Sequence, residues 1–244
     1  MRLDQYVTDN AEISRNKSQA LIKSWNITVN WKTITKVWLK LDWSEKVIIN
    51  LSEESQYVSR SALKLKFFLD DNSLNVDWFR CLDIWSSTWW FCQVLLEKNV
   101  SSVYAVDVWT SQLHDKIKKN SKIISVENTD IRKFEKINLE LDLITCDVSF
   151  ISLDLIIDSI INQMWINTIW LILFKPQFEV WSKYINKKWV VKDWKISEKK
   201  LTNFLDSCKM KWLDIIRVEK SKLEWENWNQ EIIIQIKKNN IKLI

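Results

Sequence analysis

Apolar residues at helical spacing open the chain. Leu3, Tyr6 and Val7, then Ala20, Leu21 and Ile22, each mark one face of a short helix. Between them, Ser14-Arg15-Asn-Lys-Ser fits a helix start with Ser14 as its cap. The pattern then switches to alternation over Ile27-Thr-Val-Asn30-Trp31-Lys-Thr-Ile34, which predicts a hairpin across 27–36. Lys46-Val-Ile-Ile-Asn-Leu51 predicts a strand. From about residue 59 short apolar runs alternate with amphipathic stretches. Strands are expected near 79–84, 102–107, 122–127, 141–147, 168–174, 213–219 and 230–237, and helices near 60–70, 89–98, 110–119, 152–163 and 195–210. That rhythm argues a parallel α/β sheet. Two domains follow, 1–58 and 59–244, and the segment 176–194 reads as a long functional loop.

Composition narrows the classes. At 47% hydrophobic and 27% charged residues, the chain can build a core and is not disordered. A net charge of +5 fits a polyanion partner, but the lysines are scattered. In the first domain Arg2, Arg15, Lys17, Lys23, Lys32 and Lys36 read either as a solvated surface or as contacts to an RNA backbone. Cys81, Cys92, Cys146 and Cys208 are widely spaced and His114 is the one histidine. A metal site, a disulfide framework and a His-based catalytic triad are therefore not expected, and a reducing cytoplasm is. No apolar run is long enough to span a bilayer, and Met1–Asn10 does not read as a signal peptide.

One total is abnormal: there is no glycine, and there are 17 tryptophans. Ordinary usage of about 7% would give about 17 glycines in this length. The places match as well. Trp31 follows Asn30 in the hairpin, Trp43 and Trp78 follow Asp in turn positions, and Trp25, Trp165 and Trp212 follow helical runs where glycine closes a helix. Turns are the wrong place for large apolar rings. The pattern points to codons that specify glycine in the source and are read here as tryptophan.

With those positions as glycine, the strand Cys81-Leu-Asp83-Ile84 runs into a Gly-type turn at 85–90 and then a helix, the layout of a nucleotide cradle. The next strand ends in Asp107, placed to bind a ribose diol, and the third near Asp130, placed to meet an adenine amine. Each acid alone also suits a strand-end cap. Asp147 and Lys175 end the fourth and fifth strands over the same cleft. Such a pair reads as an ion pair or as a tuned base.

These residues resemble the TlyA family, the so-called haemolysin A proteins, ribosomal RNA 2′-O-methyltransferases with an FtsJ-like catalytic domain. The resemblance covers nearly the whole chain. It is carried by Arg2-Leu-Asp4, Ser14-Arg15, Val29-Asn-Trp-Lys32, Tyr57 to Leu65, Leu82 to Phe91, Ala105 to Trp109, Asp147 to Leu153, Lys175-Pro-Gln-Phe-Glu179 and Trp228-Asn-Gln-Glu231. The family has glycine at Trp85, Trp89, Trp90, Trp109 and Trp228. This chain departs from it at Ser61-Ala62 and at Cys92-Gln93.

The resemblance implies a Rossmann-like S-adenosylmethionine-dependent methyltransferase domain. It also implies a small N-terminal α+β RNA-binding domain of the fold shared with small-subunit ribosomal protein four. It implies a catalytic tetrad of Lys64, Asp147, Lys175 and Glu231. S-adenosylmethionine would be held by Asp83, Trp85, Ser87, Thr88, Trp89, Trp90, Asp107 and Asp130, without a metal. Arg2, Arg15, Lys17, Lys32, Lys36 and Arg60 would contact RNA. Cytidine in ribosomal RNA, alone or in ribosomal subunits, is the implied substrate. Two other readings stand beside this one: an RNA-binding protein without activity, if the indoles fill the cofactor pocket, and a membrane-active haemolysin, against which the lack of an apolar span argues.

Overall fold

The computed structural model describes residues 1–23, 26–42, 44–49, 62–85, 90–110, 119–222 and 229–239. The chain divides into two compact units, Met1–Arg60 and Ser61–Ile244.

In the first unit, helices α1 (Leu3–Ala11) and α2 (Arg15–Lys23) pack with strands β1 (Ile27–Val29), β2 (Lys32–Thr33) and β3 (Val47–Ile49). The sheet order is β2-β1-β3, antiparallel throughout. Leu3, Val7, Leu21, Ile22, Ile27 and Val29 form its core, which explains the helical spacing of the first four. The Ser14 hydroxyl accepts from the Lys17 N–H at 3.4 Å, the cap that the sequence predicts. Both turn residues of the hairpin are left-handed, Asn30 at φ 47° and Trp31 at φ 65°, as a two-residue turn between twisted strands requires.

The fully buried Asp4 accepts from Arg2 Nε at 2.9 Å, Arg15 Nε at 3.1 Å and Gln19 Nε2 at 3.2 Å. Burial alone would raise its carboxyl, but these donors outweigh it and hold the group down at about 2.

The second unit begins with α3 (Ala62–Asp71) and β4 (Arg80–Ile84), followed by α4 (Trp90–Glu97), β5 (Ser102–Val106), β6 (Ile123–Val126) and β7 (Leu143–Cys146). It continues with α5 (Ile157–Gln163), β8 (Ile169–Phe174), α6 (Pro176–Glu179), α7 (Trp194–Met210), β9 (Leu213–Lys220) and β10 (Ile232–Lys238). Its seven-stranded sheet runs β6-β5-β4-β7-β8-β10-β9. The first five of these strands are parallel, as the alternation predicts. β10 pairs antiparallel with both β8 and β9, which the sequence pattern does not reveal.

All six residues of β8 are buried, so it reads as one apolar run rather than an alternation. Each such large side chain contributes about 1.5–3 kcal/mol through burial. The expected helix at 152–163 is a 3-10 turn at Leu153–Leu155 followed by α5, and the one expected near 110–119 lies largely outside the described residues. β5 and β6 lie on one side of β4, and β7 and β8 on the other. The order therefore reverses at the β4–β7 boundary, where the carboxyl ends open a crevice.

The segment 176–194 is more ordered than its loop-like sequence implies. It holds α6, a 3-10 turn at Ser182–Tyr184 and an antiparallel bridge between Ile185 and Val191.

Among the described residues five tryptophans are left-handed: Trp31, Trp78, Trp85, Trp189 and Trp212, with φ between 61° and 65°. An L-residue with a Cβ loses about 1–2 kcal/mol there, which glycine does not. Trp31, Trp78 and Trp212 also keep 74%, 69% and 65% of their surface exposed. Trp212 closes α7, the glycine position expected from sequence. Seven described tryptophans lack positive φ: Trp38, Trp90, Trp109, Trp165, Trp170, Trp181 and Trp194. Trp165, beyond α5, does not have positive φ and packs against the core. Trp170 is fully buried inside β8, 6.5 Å from the Phe204 ring. Trp25 and Trp43 lie outside the described residues.

Candidate active site at the carboxyl ends of the sheet

Successive strands of the second unit deliver acids and a lysine to one edge. Asp83 is the fourth residue of β4, Asp107 follows β5, Asp147 follows β7 and Lys175 follows β8. All four are buried. β10 runs the other way, so its start lies at this same edge. Ile232 pairs with Phe174, and Glu231, also buried, therefore sits across from Lys175. A residue at the start of a late strand reaches the carboxyl ends of earlier ones only through this antiparallel insertion.

Two buried ion pairs result. Lys175 Nζ lies 2.7 Å from Asp147 Oδ1, at an angle that makes a charge contact without a directed hydrogen bond. Its donors go to Ser149 Oγ at 2.9 Å and to the Asp147 carbonyl at 3.5 Å. Lys64, on α3, donates to Glu231 Oε2. The structure therefore groups the four expected tetrad residues as two lysine–carboxylate pairs, one on the ends of β7 and β8 and one between α3 and the start of β10. Removing one member of such a pair strands a buried charge, at a cost of about 3–5 kcal/mol.

Asp83 takes donors from Thr145 Oγ1 at 2.6 Å, its neighbour in register on β7, and from Cys92 Sγ at 3.2 Å on α4. Burial pushes its carboxyl up to about 7, with Thr145 and Cys92 opposing and the charges of Asp147 and Asp107 adding to the rise. Asp107 accepts from the Trp109 N–H at 2.8 Å, and its carbonyl accepts from the Thr129 N–H at 2.8 Å, which ties down the third loop. Asp130 is engaged by the Arg132 guanidinium and N–H, which hold its carboxyl below the usual range, yet it still lines the crevice. Ser87, Thr88, Trp89 and Arg60 lie outside the described residues.

Among the described residues three cavities open here. One of about 220 Å³ has apolar walls at Ile84, Val106, Ile131 and Val148 with Asp130 at its side, suited to a flat heterocycle. A second, of about 50 Å³, lies over Asp83, Asp147, Ser149 and Lys175, narrowed by Trp85 and Trp90. Trp85 is a wall of both. A third, of about 360 Å³, is lined by Phe150, Phe178 and Trp189, whose ring centroids are 4.9–6.0 Å apart. Lys175 Nζ lies 5.9 Å from the Phe178 ring.

The lining therefore suits a nucleoside carrying a charged tail, with the heterocycle in the cavity of about 220 Å³ and the tail toward Asp83. The printed Trp85 and Trp90 crowd the tail end.

Of the expected RNA contacts, Arg2 and Arg15 converge on Asp4 with half-exposed side chains. Lys32 and Lys36 are exposed, and Lys17 is half-buried. Sequence reasoning missed Thr145, Ser149, Ser152 and Glu179. The first supports Asp83 from a neighbouring strand, and the rest brace the segments around Lys175.

The FtsJ-like methyltransferase family model matches residues 57–238. A Campylobacter jejuni protein named 23S rRNA (cytidine-2′-O)-methyltransferase TlyA is 38% identical over 263 aligned positions, covering 98% of this chain and 100% of its own. Hemolysin A of Brachyspira hyodysenteriae is 34% identical, over 83% of this chain and 85% of its own. A solved structure from Streptococcus thermophilus, described as a candidate hemolysin, superposes with a TM-score of 0.73 at 26% identity. It covers 98% of this chain and 89% of its own.

Proposed function

The chain belongs to the FtsJ-like methyltransferase family, and from that premise we propose that it transfers a methyl group from S-adenosylmethionine to the 2′-oxygen of cytidine in ribosomal RNA. One observation carries the reading: two buried lysine–carboxylate pairs meet at this edge, Lys175–Asp147 at the ends of β8 and β7 and lining the small cavity over Asp83, and Lys64–Glu231 between α3 and the start of β10. A ribose hydroxyl is a weak nucleophile. It needs a group that orients it and takes its proton, held in line with the methyl carbon.

S-adenosylmethionine, when bound, supplies a methyl on a cationic sulfur that leaves as a neutral thioether. Ile84, Val106 and Val148 would pack its adenine, Asp107 would hold its ribose, and Asp83 and the 85–90 turn would meet its amino-acid end. Lys175 would orient the 2′-hydroxyl and, as the neutral amine, accept its proton, while Asp147 and Ser149 fix the lysine. Lys64 and Glu231 hold the neighbouring side of the site. The aromatic cavity beside Lys175 offers rings on which the target base stacks.

Residues 1–58 would bring the RNA, through Arg2, Arg15, Lys17, Lys32 and Lys36, with Arg60 just beyond. Such work belongs in the cytoplasm. No described helix is long and apolar enough to cross a membrane.

The walls at Trp85 and Trp90 favour a second reading for the chain as printed, an RNA-binding protein that does not hold the cofactor. Calorimetry with S-adenosylmethionine separates the two, on the printed chain and on one with glycine at 85, 89 and 90. Ribosomal subunits from cells lacking the gene then serve as methyl acceptors. Cofactor binding and a new 2′-O-methylcytidine with the glycine form support the enzyme. RNA binding without either leaves the second reading.

A further inference from the structure

Two chain segments leave the sheet side by side after β7 and β8. One, 147–153, carries Asp147; the other, 175–179, carries Lys175. Neither is a strand here, so the sheet ladder does not set their spacing. Side chains join them at three levels. At the base, Lys175 meets Asp147 and Ser149. Midway, the Phe150 and Phe178 rings lie 4.9 Å apart. At the far end, Glu179 Oε2 accepts from Ser152 Oγ at 2.6 Å and Oε1 accepts from the Leu153 N–H at 3.0 Å.

Glu179 is only 8% exposed, and both its oxygens are committed to the opposite segment. The Leu153 N–H opens the 3-10 turn Leu153–Leu155 and has no partner within that turn, so Glu179 also closes that backbone. A buried carboxylate with two donors from one neighbouring segment is a latch. Losing it leaves the Leu153 N–H and Ser152 without their acceptor and leaves the Lys175 contacts to Asp147 and Ser149 at the base as the polar ties between the segments.

We propose that Glu179 is a positioning residue for methyl transfer: it latches the segment carrying Lys175 to the segment carrying Asp147 and so sets the geometry of that pair. The inference rests on the methyl-transfer reading above. Glu179 itself touches neither substrate nor cofactor. Cofactor affinity should depend on it only weakly, because, of the residues assigned to the cofactor, Val148 alone lies on the latched segment, the others being on β4 and β5 or the loops after β4, β5 and β6.

The test compares Glu179→Ala and Glu179→Gln in the full chain used for the transfer assay, well below the melting temperature. Glutamine keeps an oxygen for the Leu153 N–H and an amide that can donate to Ser152. Expected for Glu179→Ala are a fall in kcat of about ten- to hundredfold and S-adenosylmethionine affinity within about twofold. The midpoint of the pH–kcat profile should move by about half a unit or more. Hydrogen exchange should show loss of protection at Leu153 and at residues 147–149. Glu179→Gln should restore kcat, the pH midpoint and the exchange protection toward the parent values. An alanine variant that keeps kcat overturns the proposal, and so does one that loses activity only in step with its folded fraction, with the profile unmoved. A parent chain that transfers no methyl group defeats the methyl-transfer reading instead. The exchange data on residues 147–149 then still decide whether Glu179 holds the Asp147 segment.

Discussion

Lys175 Nζ stands 2.7 Å from Asp147 Oδ1, and each residue lies one position past the end of its own strand in an adjacent parallel pair. The adjacency of β7 and β8, rather than local sequence, delivers lysine and carboxylate to one edge, and the side-chain ties between the two loops set their spacing. Replacing Lys175 with alanine should cut methyl transfer by about 100-fold or more and leave cofactor affinity within about twofold. Single-turnover transfer and calorimetry check the two halves separately. Unchanged turnover would remove Lys175 from the chemistry.

The Lys64–Glu231 pair separates stability from function. Glu231→Leu alone should cost about 3 kcal/mol, because it strands a buried ammonium. Adding Lys64→Met should recover much of that loss, while transfer stays absent in both variants. Urea midpoints and a transfer assay on the same preparations read this. A double variant that regains activity would make the pair structural only.

Asp83 predicts a slope of stability with pH. Its carboxyl titrates at about 7 when folded and near 3.8 when unfolded, so the folded state holds the proton longer. Stability from this group is full below about pH 4, falls as pH rises toward 7 and is flat above. Asp83→Asn should remove that slope and narrow or reverse any stability deficit at pH 8 relative to pH 5. Thermal midpoints at the two pH values decide it. A parallel shift at both would contradict the assignment.

Trp85 walls off the nucleoside cavity from the space over Asp83. Trp85→Gly should relieve its left-handed backbone and join the two spaces, raising S-adenosylmethionine affinity by about tenfold or more. Trp31→Gly and Trp212→Gly should stabilise by about 1 kcal/mol each. Trp170→Gly should cost about 3–5 kcal/mol, since that ring is core. The gene offers a direct reading: codons at 31, 78, 85, 189 and 212 should differ from the ordinary tryptophan codon, and the codon at 170 should not. One common codon at all six positions would defeat that division.

Much of the fold was legible because burial writes itself into the sequence. β7 and β8 are nearly continuous apolar runs, and the turns carry the residues that turns demand, tryptophan standing in for glycine. The antiparallel direction of β10 was not legible, since an apolar run has no arrow. Asp83, Asp107, Asp147 and Lys175 could be found as strand-end polar residues. Lys64 and Glu231 could not be paired from spacing, and only the family resemblance named them. Ser149 and Glu179 were missed for a physical reason: their partners lie on another strand's loop, and a serine or glutamate in a loop ordinarily signals nothing more than solvent.

The insertion of β10 between β8 and β9 also fixes when the centre can exist. Lys64 and Glu231 are separated by 167 positions. At about 5–20 residues per second of synthesis, Lys64 waits roughly ten to thirty seconds for its counterion. During that interval β9 has emerged with no neighbour, and β8 exposes a bare edge to whatever else can pair with it. The pair thus forms only after residue 231 has been made, and a chain interrupted before that point carries an unmatched lysine.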